Sequence, residues 1–191
     1  MTGAMSSLFF GFIAVLLGTI GARDQLTVAQ VSAVSRRGPG VLAAAAISAT
    51  VSAMAMALAG QAMSGLLPAA GKTMLVAFAL GFAAIELALP VRQARAREPT
   101  RSVAAIAIVL FARQLGDAAR FIVFAIAAAT GAPLWAGVGG ALGGILALAA
   151  GWAAGEGGLA ALPLRAMRLA LGAIVLAAAV AVGLGARGII G

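Results

Sequence analysis

From Leu8 to Gly185 the chain is a succession of apolar runs, cut only by short breaks that carry arginine, glycine or proline. Runs of ~20 apolar residues match the ~30 Å hydrocarbon core of a bilayer at 1.5 Å of rise per helical residue. In lipid the backbone must satisfy its own hydrogen bonds, so such runs are expected to be helices packed as a bundle. Composition agrees: 63% of the residues are hydrophobic and 9% charged, against roughly 25% charged in a soluble domain.

The first run, Leu8 to Gly21, pauses at Ala22-Arg23-Asp24-Gln25 and resumes from Leu26 to Val34, giving one span with a polar waist. A second span runs from Val41 to about Met63, and a third from Thr73 to Leu89, stopped by Pro90. The fourth, Val103 to Ala129, repeats the first design, with its waist at Arg113-Gln114-Leu115-Gly116-Asp117-Ala118-Ala119-Arg120. Pro133 opens the fifth, which reaches Trp152, and a turn at Gly155-Glu156-Gly157-Gly158 leads to the sixth, Leu164 to Gly185. The expectation is an all-α, polytopic membrane protein of about six transmembrane helices in a single membrane domain, 1–191.

Residues 6–90 laid over 103–186 pair Gly21 with Gly116, Pro39 with Pro133 and Gly81 with Gly172. The pairing suggests repeat one over 6–90, a cytoplasmic link over 91–102 and repeat two over 103–187. Three helices is an odd number, so the two copies would enter the membrane from opposite sides, as inverted repeats do in many transporters. Arg36, Arg37, Arg92, Arg95, Arg97, Arg101, Arg165 and Arg168 fall in breaks on one side, against Lys72 and Arg187 on the other. The positive-inside rule makes the richer side cytoplasmic and both termini non-cytoplasmic, in a cell inner (plasma) membrane. Trp135 and Trp152 are expected in interfacial belts, and no cleaved signal peptide is expected, because the stretch before Leu8 lacks Lys and Arg.

Absent residue types narrow the chemistry. Without cysteine or histidine, disulfides, thiolate metal sites and imidazole proton carriers are excluded, and any ion must be held by oxygen. The formal net charge of +8 lies between apolar runs and not along one face with interleaved aromatics, so nucleic acid is not an expected partner. Gly71-Lys72-Thr73 is no phosphate loop, since Leu66 stands where the upstream glycine belongs. No nucleophile–base pair or cofactor fingerprint points to an enzyme, and no bound cofactor is expected.

The chemistry is concentrated in the waists. Arg23, Asp24, Arg113, Asp117 and Arg120 sit mid-span, where an ionised side chain costs ~2.5–3.5 kcal/mol on insertion scales. In one reading they line an ion or proton path, with Asp24 and Asp117 as oxygen donors and Thr19, Gln25, Gln114 and Glu86 beside them. In the other they neutralise one another, because Arg113 and Arg120 lie four and three residues from Asp117, within reach on a helix. Gly21 and Gly116 are candidate helix breaks, and Glu86 could instead snorkel toward Arg92. Gly139 with Gly143, and Gly140 with Gly144, signal close helix packing.

The waists resemble the signature ExGD(K/R)(T/S) of the Gdt-one family, small membrane cation (manganese/calcium):proton antiporters built from two three-helix repeats. In Thr19-Ile20-Gly21-Ala22-Arg23 the glycine and basic residue match, with Thr19 and Ala22 at the acidic positions. In Gln114-Leu115-Gly116-Asp117-Ala118 the glycine and aspartate match, with Gln114 and Ala118 at the acidic and basic positions. The resemblance implies that a divalent cation, manganese or calcium, is exchanged for protons between the repeats. Three waist arginines against two aspartates oppose a dication unless the arginines point away. Two rivals therefore stand beside it: a non-transporting structural descendant of the fold, and an anion transporter using those arginines. The partners expected are the lipid bilayer, the transported ion and protons, with a homodimer left open.

Overall fold

The computed structural model describes residues 2–34, 39–91 and 102–189. Every regular element among them is an α-helix: α1 (Thr2–Gly18), α2 (Arg23–Val34), α3 (Pro39–Gly65), α4 (Ala69–Ala88), α5 (Val103–Gln114), α6 (Ala118–Thr130), α7 (Pro133–Ala160) and α8 (Leu164–Ala186). The helices α3, α4, α7 and α8 are each long and apolar enough to cross a membrane. A fifth span is formed if α1 and α2, bent by 65° at their break, are taken together, whereas α5 and α6 are shorter apolar helices.

Local chemistry sets the ends. Pro133 occupies the first turn of α7, where its missing N–H is no loss. Leu89 caps α4 in an extended conformation, as the residue before Pro90 must. Gly131 closes α6 with φ of 67°, the left-handed cap that glycine adopts without strain. The expected turn after Trp152 is corrected: α7 kinks at Gly155, where φ is 64°, and continues to Ala160.

The bundle is organised around α3 and α7, which pack antiparallel: Gly137 meets Met54 and Ala57, Gly140 meets Ala53, and Gly144 meets Ala49. The broken first pair follows α7 in the same direction, Gly139 against Leu8, Gly143 against Phe12 and Leu16, and Gly151 against Gln25. The second broken pair follows α3 likewise, with Gln114 beside Ser48 and Gly60 against Phe124. The remaining helices, α4 and α8, pair antiparallel, Gly172 on Leu87 and Gly183 on Ala77. A Cβ on Gly139, Gly143 or Gly60 would collide with the carbonyl of Leu8, Phe12 or Phe124, so glycine here permits backbone to touch backbone.

Buried clusters consist largely of alanine and valine, such as Val15, Ala57, Ala119, Val123, Ala127 and Ala136 between α1, α3, α6 and α7. Large apolar side chains such as Phe9, Phe78, Phe82, Ile108 and Ile174 are exposed. Small residues inside and large ones outside is the arrangement expected where lipid is the solvent. Trp152 is half-buried and packs against the Val28–Leu148 cluster. Trp135 remains exposed.

Candidate functional site

Both waists interrupt their helices. At the first, α1 ends at Gly18 and α2 begins at Arg23, with Gly21 at φ of 70°. The Gly21 N–H donates to Gln25 Oε1 at 2.7 Å, closing the turn, while Gln25 Nε2 donates to the Ala147 carbonyl of α7 at 2.8 Å. At the second, α5 ends at Gln114 and Asp117 stands at the N-cap of α6 without a side-chain capping bond. Two helix N-termini thus open in the interior, α2 with Asp24 in its first turn and α6 with Asp117 at its N-cap, placements the helix dipole favours.

The aspartates differ. Asp24 is satisfied: Oδ1 accepts from its neighbour Gln25 N at 2.8 Å, and Oδ2 accepts from Gln114 Nε2 at 3.1 Å. Gln114 Oε1 in turn accepts from Ser48 and Ser52, at 2.8 and 2.7 Å, and Arg120 Nε donates to Ser52 Oγ at 2.7 Å. Ser52 Oγ also lies 2.7 Å from the Ser48 carbonyl, so its one proton serves either that carbonyl or Gln114 at a time. The chain Asp24–Gln114–Ser52–Arg120 joins α2, α5, α3 and α6.

Asp117 is only 6% exposed, and both its carboxylate oxygens are buried without a hydrogen-bond partner. Thr19 Oγ1 and the Arg120 Nη1 and Nη2 are buried and unpartnered too, the Arg120 head resting against Gly144. Asp24, Glu86, Arg120 and Arg168 are the charges that act on Asp117. A cavity of about 480 Å³ opens between the two breaks, lined by Arg23, Asp24, Val109, Ala112, Arg113, Gly116 and Asp117.

No waist arginine among the described residues comes within ion-pair distance of a waist aspartate, although Arg120 is among the charges that act on both Asp24 and Asp117. Among the described residues the one ion pair is Arg168 Nη2 to Glu86 Oε2, at 3.0 Å. Arg113 reaches across to α2 and donates to Thr27 Oγ1 at 2.8 Å. Arg23 and Arg113 are exposed, whereas Asp24, Glu86, Asp117, Arg120 and Arg168 are buried. The balance expected from sequence therefore reverses, because two of the three waist arginines stand outside the buried set and Glu86 and Arg168 stand inside it. Three buried carboxylates face two buried guanidiniums, one positive charge short.

Two further corrections concern that pair. Glu86 is held by Arg168, and its Oε2 also accepts from Ala118 N at 3.3 Å, capping α6 from a neighbouring helix; Arg92 lies outside the described residues. Arg168, counted among the loop charges, is instead a buried residue of α8. Ser48, Ser52, Thr27, Arg168 and Gly144 were missed as site residues. Only Ser48 and Ser52 left a signal, four apart on one face of an otherwise apolar helix.

Among the described residues no three acidic side chains are grouped so as to hold a metal ion. Asp24 is engaged by two donors and Glu86 by two, so Asp117 is the buried carboxylate whose oxygens carry no hydrogen bond. No family model, no curated protein and no solved structure matches the chain.

Proposed function

We propose that this chain is a secondary membrane transporter whose pathway runs through the cavity between its two broken helices, with Asp117 as the carboxylate that takes up a proton or a singly charged cation. One observation carries the reading: a buried carboxylate without a partner, in a polar layer one positive charge short, beside a cavity rimmed by Arg23 and Arg113. An uncompensated carboxylate is costly in lipid. Binding and releasing one positive charge relieves that cost in one state and restores it in another, which a transport cycle requires. Thr19 Oγ1 offers a neutral oxygen, Gln114 fixes Asp24, and Gly21 and Gly116 mark the breaks.

The six-span plan with inverted repeats belongs to the same proposal, α5 and α6 together making the sixth span. Its support is the matched pairing of the broken helices, the first pair along α7 and the second along α3, each in the same direction. Both α3 and α7 begin at a proline, Pro39 and Pro133. In this plan both termini lie on the side away from the arginine-rich connections. The resemblance to the Gdt-one family supports transport and the repeat plan; the donor set argues for a smaller charge than manganese or calcium.

The test is purified protein in proteoliposomes under an imposed proton gradient, with internal pH and uptake of sodium, potassium, manganese and calcium followed separately. Gradient-dependent flux of protons or a monovalent ion is expected, lost in Asp117→Asn while membrane insertion is kept. Absence of flux from folded wild-type protein, or equal flux in Asp117→Asn, overturns the proposal. Flux confined to manganese or calcium would return the divalent reading.

An anion pathway is the second reading, favoured by the unpartnered Nη1 and Nη2 of Arg120. Chloride or phosphate flux that survives Asp117→Asn and disappears in Arg120→Gln would select it.

A further inference from the structure

A second cavity, lined by none of the residues of the first, lies where α4 finishes and α8 begins, and it borders the first waist at Gly21 and Leu26. Its volume is about 220 Å³, and its walls include Leu87, Pro90, Leu164, Arg165, Arg168 and Leu169. Arg168 is 4% exposed. One of its nitrogens, Nη2, is used by Glu86, while Nε and Nη1 are buried with no partner. Arg165 stands on the same helical turn and is exposed. No side chain caps the N-terminus of α8, so its first turn adds a partial positive charge at the same place. The carboxylate paired with Arg168 is Glu86, and Asp117 lies within its field.

We propose that this cavity binds a phosphate-type anion between Arg165, Arg168 and the first turn of α8. A guanidinium presents its donors in a planar fork suited to the oxygens of a phosphate, and two nitrogens of Arg168, Nε and Nη1, are free of protein partners. The apolar walls fit an anion that carries hydrocarbon, as a phospholipid headgroup does. An inorganic phosphate would satisfy the same donors without using the walls. The proposal does not depend on transport: Arg168 is tied to the waist through Glu86 and Ala118, yet the cavity stands whether or not an ion moves past Asp117.

Thermal unfolding of the purified chain in neutral detergent tests it, titrated in separate arms with phosphatidylglycerol, phosphatidylcholine and inorganic phosphate. Phosphatidylglycerol is expected to raise Tm saturably, with phosphatidylcholine without effect. Arg165→Gln, which leaves the Glu86 pair intact, is expected to weaken the response about tenfold, the loss of one charge-assisted contact. Arg187→Gln, at the opposite end of α8, is expected to respond as wild type does. A shift produced by inorganic phosphate, and competing with phosphatidylglycerol, would identify a free anion as the occupant and support the site. The proposal is overturned if phosphatidylglycerol acts no better than phosphatidylcholine and phosphate is silent. It is equally overturned if Arg165→Gln titrates like wild type, or if Arg187→Gln weakens the response as much.

Discussion

Single side chains in the polar layer have unequal work, and substitutions should separate them. Gln114 touches Asp24, Ser48 and Ser52; Gln114→Leu keeps its approximate volume and strands those partners, so a loss of about 1–3 kcal/mol is expected in chemical unfolding from mixed micelles. Glu86→Gln should cost more, about 3–5 kcal/mol, because it leaves the buried Arg168 cation unpaired. The double replacement Glu86→Leu with Arg168→Leu should recover most of that loss in the same assay, since no charge then remains to be compensated. Recovery that fails would show that the cap on Ala118, and not the ion pair, holds α6 in place. The waists were legible from sequence as places where charge interrupts an apolar run. Which charge stands in the interior was not, because Arg23, Arg113 and Arg120 look alike in a string and differ only in which neighbour the helix turns them toward. Arg168 escaped for the same reason: an arginine one turn into a helix reads as a loop charge until a carboxylate is found opposite it.

Helices were read with more success than their interruptions. Proline at 39, 90 and 133 and the lengths of the apolar runs place α3, α4, α8 and the start of α7 within a few residues of where they stand, because proline chemistry and bilayer thickness are both local constraints, while α7 runs eight residues past the expected end at Trp152. The 65° bend between α1 and α2 could be suspected from Gly21 but not measured, as it depends on α7 receiving Gln25 at Ala147. The paired glycines of α7 were recognised as packing residues, and the structure says what they pack on. Gly143→Ala should therefore push α1 away from α7, at a cost of about 1–3 kcal/mol for an overfilled contact. Gly81→Ala is the internal control: a Cβ there meets nothing within 4 Å, so unfolding should show no loss and a gain of up to about 1 kcal/mol from better helix propensity. Equal effects at the two positions would mean that the α1–α7 contact is not the tight one described.

At the scale of the whole molecule, the six-span proposal has a simple consequence for labelling. The chain has no cysteine of its own, so single cysteines at positions 3 and 191 should react with an impermeant maleimide from one side of the membrane, and one at position 95 from the other. Positions 3 and 95 reacting from the same side would show that the first waist turns back instead of crossing. The pairing of helices carries a consequence of another kind, in the order of synthesis. Asp24 finds its side-chain partner 90 residues later, at Gln114, and its neighbour Gln25 finds Ala147 after 122 residues. With translation at ~5–20 residues per second, the first waist waits ~5–25 s in the membrane before the groups that satisfy it exist. During that interval an aspartate and an arginine must be sheltered by water at the insertion site, by headgroups or by an insertion factor. Nascent chains halted before residue 114 should slip back out of the bilayer or be degraded far more readily than those halted after residue 152.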